Sequence, residues 1–244
     1  KACLECEKPI TAIKVGSSEI GVKAAFAHTA SENQGHSNAE YDKLFEESGV
    51  LREKTWQEFL DTSLALGNCP PLRGDNVVII TNGGGAGLLA ADHFERLGMP
   101  LKELKDISPD LRENIRNYMP AFGSPLNPVD ISGTATSDMY GGALKTAYRD
   151  EHVDGILISV CPTAVTDVEA ITETVINIHR QYKNLGKPFI MECQGGNECR
   201  EAIMKLRDKG IPAYSTPEQA VNAMVALRKY SHIMNKKEKL IKNI

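Results

Sequence analysis

The chain has 244 residues, of which 41% are apolar and 25% charged, a balance that excludes disorder and fits a soluble globular protein of one large or two smaller domains. A formal net charge of −4 offers no basic face to nucleic acid, and no run approaches the roughly 18 apolar residues of a membrane span. The first residues lack the charged start and apolar middle of a signal peptide, so the expectation is a cytoplasmic protein with neither membrane nor nucleic acid as partner.

Six cysteines, at 3, 6, 69, 161, 193 and 199, are scattered along the chain and read as reduced thiols rather than a disulfide framework. Cys3-x-x-Cys6 has no second CxxC or paired histidine and is not at a helix start, so no metal site is expected and no redox role is given to it. Residues 9–15 read as a buried strand whose sheet neighbours must come from elsewhere, which makes the chain look like a fragment. Residues 16–38, rich in Gly, Ser, Ala and Asn, read as a long loop or a short helix and loop. Helices are expected over 39–48, closed by Gly49, and over 55–66, closed by Gly67, with a Pro- and Gly-containing linker from Asn68 to Asp75.

Beyond the linker the pattern is regular: strand 77–81, helix 87–97, a short strand near 101–105, helix 108–119, and an irregular piece over 124–133. Helix 137–150, strand 153–160, helix 167–182, strand 188–193, helix 196–209, strand 211–215 and helix 217–233 follow, and 234–244 is a basic, solvated tail. Apolar strands alternating with amphipathic helices predict an α/β fold, an open, doubly wound parallel sheet covered on both faces.

The most informative stretch is Thr81-Asn-Gly-Gly-Gly-Ala-Gly87, directly after the β-branched run Val77 to Ile80. Glycines let the backbone approach a ligand, and a helix start adds the positive end of its dipole, so Gly83, Gly84, Gly85, Ala86 and Gly87 are expected to hold an anion, with Asn82 in support. The P-loop pattern fails because no Lys-Ser or Lys-Thr follows. Gly85-Ala-Gly-Leu-Leu-Ala90 does satisfy G-x-G-x-x-A, with Asp106 about twenty residues on. A nicotinamide-dependent dehydrogenase therefore stands as an alternative, and a non-catalytic CoA- or nucleotide-sensing domain as another. Asn127 and Asp130, Cys161, and Cys193 also map to strand ends; the cysteines read as small buried residues.

Among six histidines, 93, 152, 179 and 232 fall in ordinary helical patterns or just before a strand. His28 lies among small residues with little reason to hold an imidazole for packing, which makes it a catalytic candidate, with His36 behind it.

Lys14 to Thr29, then Tyr41-Asp42 and Glu47-Ser-Gly-Val50, resemble the phosphohistidine region of NDP-forming acyl-CoA synthetases, relatives of succinyl-CoA synthetase. Thr81 to Asp92, Asn127-Pro-Val-Asp130 and Ile211 to Glu218 resemble, in the same order, that family's second ligase domain. The chain reads Ala27-His-Thr-Ala-Ser31 where family members read Ser-His-Thr-Gly-Ser, and the loop before Tyr41 is about two residues longer. The resemblance implies residues 1–68 as the C-terminal part of a CoA-ligase domain of the alpha-type subunit and 69–233 as a flavodoxin-like second ligase domain. It implies His28 as phosphoryl carrier between an acyl phosphate and ADP, because neutral imidazole, with an unperturbed pKa of about 6.5, is a competent nucleophile. Gly83 to Gly87 would then start one of two helices facing the phosphohistidine, supported by Asn82, Asn127 and Asp130. Expected partners are a CoA-binding Rossmann domain and an ATP-grasp domain or subunit, acyl-CoA or acyl phosphate, and further copies in an oligomer. No cofactor is expected on this chain alone; CoA, ATP or ADP and Mg²⁺ belong to the complete enzyme, without which the polypeptide is expected not to turn over.

Overall fold

A computed structural model of the chain describes residues 2–28 and 37–242, without the side chains of Phe26, His28 and 239–242; the candidate His36 lies outside the described residues. The N-terminal part carries α1 (Ala2–Glu5), β1 (Thr11–Ile13), α2 (Glu19–His28), α3 (Asn38–Ser48), β2 (Leu51–Glu53) and α4 (Trp56–Asn68). The two strands pair in parallel, with Thr11 opposite Leu51. Of the two readings of 16–38, the helix is found over 19–28: Ala24, Ala25 and Ala27 favour it, and its weak periodicity fits a helix with Ile20 80% exposed.

Both following helices start on capping boxes, Ser37 with Glu40 and Thr55 with Glu58. α3 ends on Gly49 in the left-handed region, at φ 67°, as glycine there allows. α4 runs through Gly67, the expected stop, and ends only where Pro70 forces Cys69 into an extended conformation.

The second part is β3 (Val77–Thr81), α5 (Gly84–Arg96), α6 (Leu104–Ile107), α7 (Leu111–Arg116), β4 (Val129–Asp130), α8 (Ser137–Arg149), β5 (Gly155–Val160), α9 (Val168–Tyr182), β6 (Phe189–Cys193), α10 (Asn197–Asp208), β7 (Ala213–Tyr214) and α11 (Pro217–Lys242). The five strands form one parallel sheet in the order β4-β3-β5-β6-β7, the flavodoxin-like order. Every residue of β3, β5 and β6 is buried, as expected of a sheet covered on both faces. One face packs Val78, Ile80, Ile156, Ile158 and Met191 under residues of α7 to α10; the other packs Val77, Ile79, Leu157 and Ile190 under α4, α5 and α11.

Several expectations are corrected. There is no strand at 101–105: Leu104 and Ile107 are buried on the single turn of α6, and the expected helix 108–119 is cut to α7. The second strand of the sheet is instead β4, inside the piece expected to be irregular. Residues 234–242, expected as part of a solvated tail, are instead helical: α11 continues to Lys242 and reaches the N-terminal part through Tyr230 and Lys237. Lys237 Nζ donates to the carbonyls of Cys3 and Cys6 at 3.0 and 3.2 Å, and Tyr230 Oη donates to Glu7 O. Among the described residues no helix is long and apolar enough to cross a membrane.

Candidate functional site

In a sheet of this order the crevice lies where strand order reverses, between β3 and its neighbours β4 and β5, at the carboxyl ends. The turn after β3 is there, tied to the turn after β5 by Asn82, which is buried. Its Oδ1 accepts the Cys161 N–H at 2.8 Å and its Nδ2 donates to Cys161 O at 2.9 Å. Tyr140, buried on α8, places its hydroxyl 3.0 Å from the same Oδ1 and 2.9 Å from Ser159 O. Asn82 is thus fully spent inside the protein, and it acts on the turn by fixing it rather than by touching a ligand.

The glycines divide by role. Gly83 is the N-cap of α5 and has no side chain to cap it; its N–H goes to Thr81 Oγ1 at 3.0 Å. Ala86 and Gly87 already direct their N–H groups to Gly83 O. Gly84 and Gly85, by contrast, have no acceptor for their N–H groups among the described residues. A Cβ on Gly83 would lie 2.6 Å from Cys161 Sγ, one on Gly84 2.7 Å from Asp130 Oδ2, and one on Gly87 2.9 Å from Pro128, whereas Gly85 faces open space. The helix therefore begins three residues earlier than expected, and the glycines form its first turn. Two unspent donors and a positive helix end, with no acidic residue in the first turn, can accept an anion there.

Asp130 joins this cluster: its Oδ1 accepts the Ser132 N–H at 2.8 Å, and its other oxygen leans on Gly84. Asn127 does not. It was expected near the strand tips, but its Oδ1 accepts the Ile79 N–H at 3.0 Å and its Nδ2 donates to Val77 O and Lys102 O at 2.8 and 2.9 Å. The amide side chain stands in for a strand along the free edge of β3, at the end remote from the turn. His28 is the last residue of α2, and its side chain lies outside the described residues.

Sequence reasoning missed a row of residues in register across the whole sheet: Asp130, Thr81, Ser159, Glu192 and Tyr214. Glu192 is fully buried, and neither its carboxyl oxygens nor Ser159 Oγ has a hydrogen-bond partner among the described residues. Burial pushes the Glu192 pKa up to about 7, opposed by the neighbouring Ser159 and reinforced by the Glu218 charge. Strand residues of one polar and one apolar kind at the same height carry no periodic signal, so only the register reveals the row. Burial also raises the Cys161 thiol, which keeps it a packing group rather than a nucleophile.

The remaining cysteine expectation is half corrected. Cys3, Cys6, Cys69 and Cys161 are free, but Cys193 and Cys199 are joined in a disulfide, because the turn after β6 brings their Cα atoms to 5.3 Å. The dinucleotide alternative fares worse: Asp106 sits on α6 instead of at the end of a strand, so the acid that the fingerprint needs on a ribose is misplaced.

Residues 77–237 match the Ligase-CoA domain, and residues 1–66 match the succinyl-CoA ligase like flavodoxin domain. The alpha subunit of acetate–CoA ligase [ADP-forming] I from Pyrococcus furiosus is 44% identical over 231 residues, 92% of this chain and 47% of that protein. The acetate–CoA ligase [ADP-forming] of Methanocaldococcus jannaschii is 34% identical over 96% of this chain and 33% of its own length. Among solved structures, the dinucleotide forming acetyl-coenzyme A synthetase 1 of Candidatus Korarchaeum cryptofilum, in complex with phosphate and ADP, superposes with a TM-score of 0.89 at 34% identity, over 97% of this chain and 49% of that one. The chain thus spans half or less of the length of each of these relatives.

Proposed function

The chain belongs to the Ligase-CoA domain family, and from that membership we propose that it is part of an NDP-forming acyl-CoA synthetase, which interconverts acyl-CoA, ADP and phosphate with the free acid, CoA and ATP. On this reading residues 1–68 end one CoA-ligase domain and 69–233 make a second, and the protein acts in the cytoplasm with a CoA-binding Rossmann module and an ATP-grasp module. The observation that carries the reading is the pair of unspent N–H groups on Gly84 and Gly85, at the switch point of the sheet and the start of a 13-residue helix.

His28 is the phosphoryl carrier. Its ring nitrogen attacks the phosphorus of an acyl phosphate, the P–O bond to the acyl oxygen breaks, and the carboxylate leaves; later a β-phosphate oxygen of ADP attacks the same phosphorus and imidazole leaves. Electrostatics favour the intervening swing. The start of α5 presents the positive end of its helix to the phosphoryl group, an interaction worth roughly 0.3–1 kcal/mol. Asp130 beside Gly84 keeps the anion site from binding phosphate too firmly, as a relay that must release its cargo requires.

Acyl phosphate formation from acyl-CoA falls to the Rossmann module, and Mg²⁺ with the nucleotide to the ATP-grasp module. Reconstitution tests the proposal. The chain mixed with both modules, acetyl-CoA, ADP, phosphate and Mg²⁺ should form ATP, and omission of the chain or a folded His28→Ala variant should abolish it. ATP formation that survives His28→Ala contradicts the assignment.

A further inference from the structure

The turn between β6 and α10 lies at the same end of the sheet as the glycine turn, and the phosphoryl relay makes no use of its cysteines. Cys193 ends β6 and Cys199 is the third residue of α10; both are buried, and their disulfide spans a sequence separation of 6 residues. The residues between them include an exposed run over 195–198, so the loop that covers the bond faces solvent while both cysteines lie beneath it.

Two contacts link this loop to the start of α5. Gln194 Nε2 donates to Cys161 Sγ at 3.2 Å, and a Cβ on Gly195 would lie 3.2 Å from Cys199 Sγ and 3.3 Å from Pro162, so the loop is held between the disulfide and the turn after β5. Cys161 Sγ in turn stands against Gly83, the N-cap of α5, and its backbone N–H and C=O are both clamped to Asn82. The disulfide, Gln194, Cys161 and Gly83 form one contiguous chain of packed groups.

We propose that Cys193 and Cys199 are a reversible dithiol–disulfide pair whose state fixes the Gln194–Gly196 turn and, through Cys161, the first turn of α5. The proposal relies on the phosphoryl-relay reading only for what the switch would control; the bond and its structural effect do not depend on it. Closing is thiol–disulfide exchange with a low-molecular-weight disulfide, RSSR. The Cys199 thiolate attacks one sulfur and expels RS⁻, which takes a proton to become RSH; the Cys193 thiolate then attacks Cys199 in the mixed disulfide and expels the second. The two protein thiols lose two electrons and two protons, and RSSR becomes two RSH. Cys199 is placed as the first attacker because it sits in the opening turn of α10, whose positive end favours its thiolate against the neighbouring Glu198 carboxylate. In a reducing compartment such a pair closes when the thiol pool is oxidised, which is how redox-sensing cysteines behave.

The test equilibrates the whole chain in buffers of graded reduced and oxidised glutathione, denatures it, alkylates the free thiols with iodoacetamide and weighs it. Six alkylated cysteines are expected in the reduced buffer and four in the oxidised one, with Cys193 and Cys199 the protected pair by peptide mapping. Amide hydrogen exchange should run at least tenfold faster over 194–200, and measurably faster over 83–87, after reduction, with β3 and β5 unchanged. Cys199→Ser should give the fast rates in both buffers, and Cys161→Ser should keep the bond and lose the response at 83–87. Six alkylated cysteines at every ratio, a different protected pair, or identical exchange in both states would overturn the proposal. None of these readouts involves phosphorylation of His28, so the switch and the relay fail independently.

Discussion

Replacing Glu192 with glutamine should destabilise the protein by about 1–3 kcal/mol at pH 4 and leave it as stable as the wild type or slightly more stable at pH 8. The carboxyl is fully buried without a hydrogen-bond partner among the described residues, and burial raises its pKa from 4.5 to about 7. The folded chain thus holds its proton where the unfolded chain has released it. Because the folded pKa lies above the unfolded one, the favourable contribution of the protonated group is complete below pH 4.5, declines as pH rises from 4.5 to about 7, and is gone above that. At 1.36 kcal/mol per pH unit the gap corresponds to about 3 kcal/mol. Glutamine keeps the shape and has no proton to lose, but buries one donor more than the protonated acid does; roughly 1–3 kcal/mol is set against the gain for an unmade hydrogen bond at every pH, leaving a net gain of about 0–2 kcal/mol at pH 8. Urea denaturation of both proteins from pH 4 to 8.5, followed by far-ultraviolet circular dichroism and Trp56 fluorescence, gives the difference in stability, in which other titrating groups cancel. The expected difference curve starts about 1–3 kcal/mol against the variant at pH 4, rises by about 3 kcal/mol between pH 4.5 and 7, and flattens above. A flat curve, or a variant that is less stable at pH 8, would show that Glu192 is ionised and paired, and the buried polar row would need another account.

The glycines of the α5 turn should separate cleanly. Gly83→Ala forces a methyl to within 2.6 Å of Cys161 Sγ and should cost about 1–3 kcal/mol in urea denaturation, whereas Gly85→Ala enters open space and should be neutral or up to about 1 kcal/mol stabilising, since alanine suits a helix better. Equal effects at the two positions would contradict the packing described for the turn. Asn127→Ala removes three side-chain bonds to backbone groups, two on the β3 edge and one at Lys102, and should destabilise the protein by about 2–3 kcal/mol; reconstituted ATP synthesis per folded molecule should stay within about twofold of wild type, and a large loss of turnover with little loss of stability would return Asn127 to the site.

The sheet was legible because Val77–Ile80, Ile156–Ile158 and Phe189–Met191 are short apolar runs with glycine or proline close by. β2 and β4 were not, because Leu51-Arg-Glu53 and Val129-Asp130 each hold a single apolar residue and exist as strands only through their neighbours. The start of α5 was hidden by glycine's poor helix propensity, which the packing of Gly83, Gly84 and Gly87 against Cys161, Asp130 and Pro128 overrides. The far end of α11 read as a tail because Lys236 to Lys242 has the composition of one; Tyr230 and Lys237, bonded to the N-terminal segment, supply the tertiary support that composition does not reveal. At the site, the sequence singled out Gly83 to Gly87 and Asp130, which the fold gathers in one place. Asn127 misled because proximity in a motif is not proximity in space. The roles of Tyr140, Ser159 and Glu192 depend on strand register and helix docking, which no single segment encodes.

The central claim is that residue 28 carries phosphate. The chain incubated with its ATP-grasp module, Mg²⁺ and γ-labelled ATP should take up label that is stable to base, lost in acid and mapped to His28, and a folded His28→Ala variant should take up none. Label that persists on the variant, or that survives acid as a serine or threonine ester would, contradicts the account.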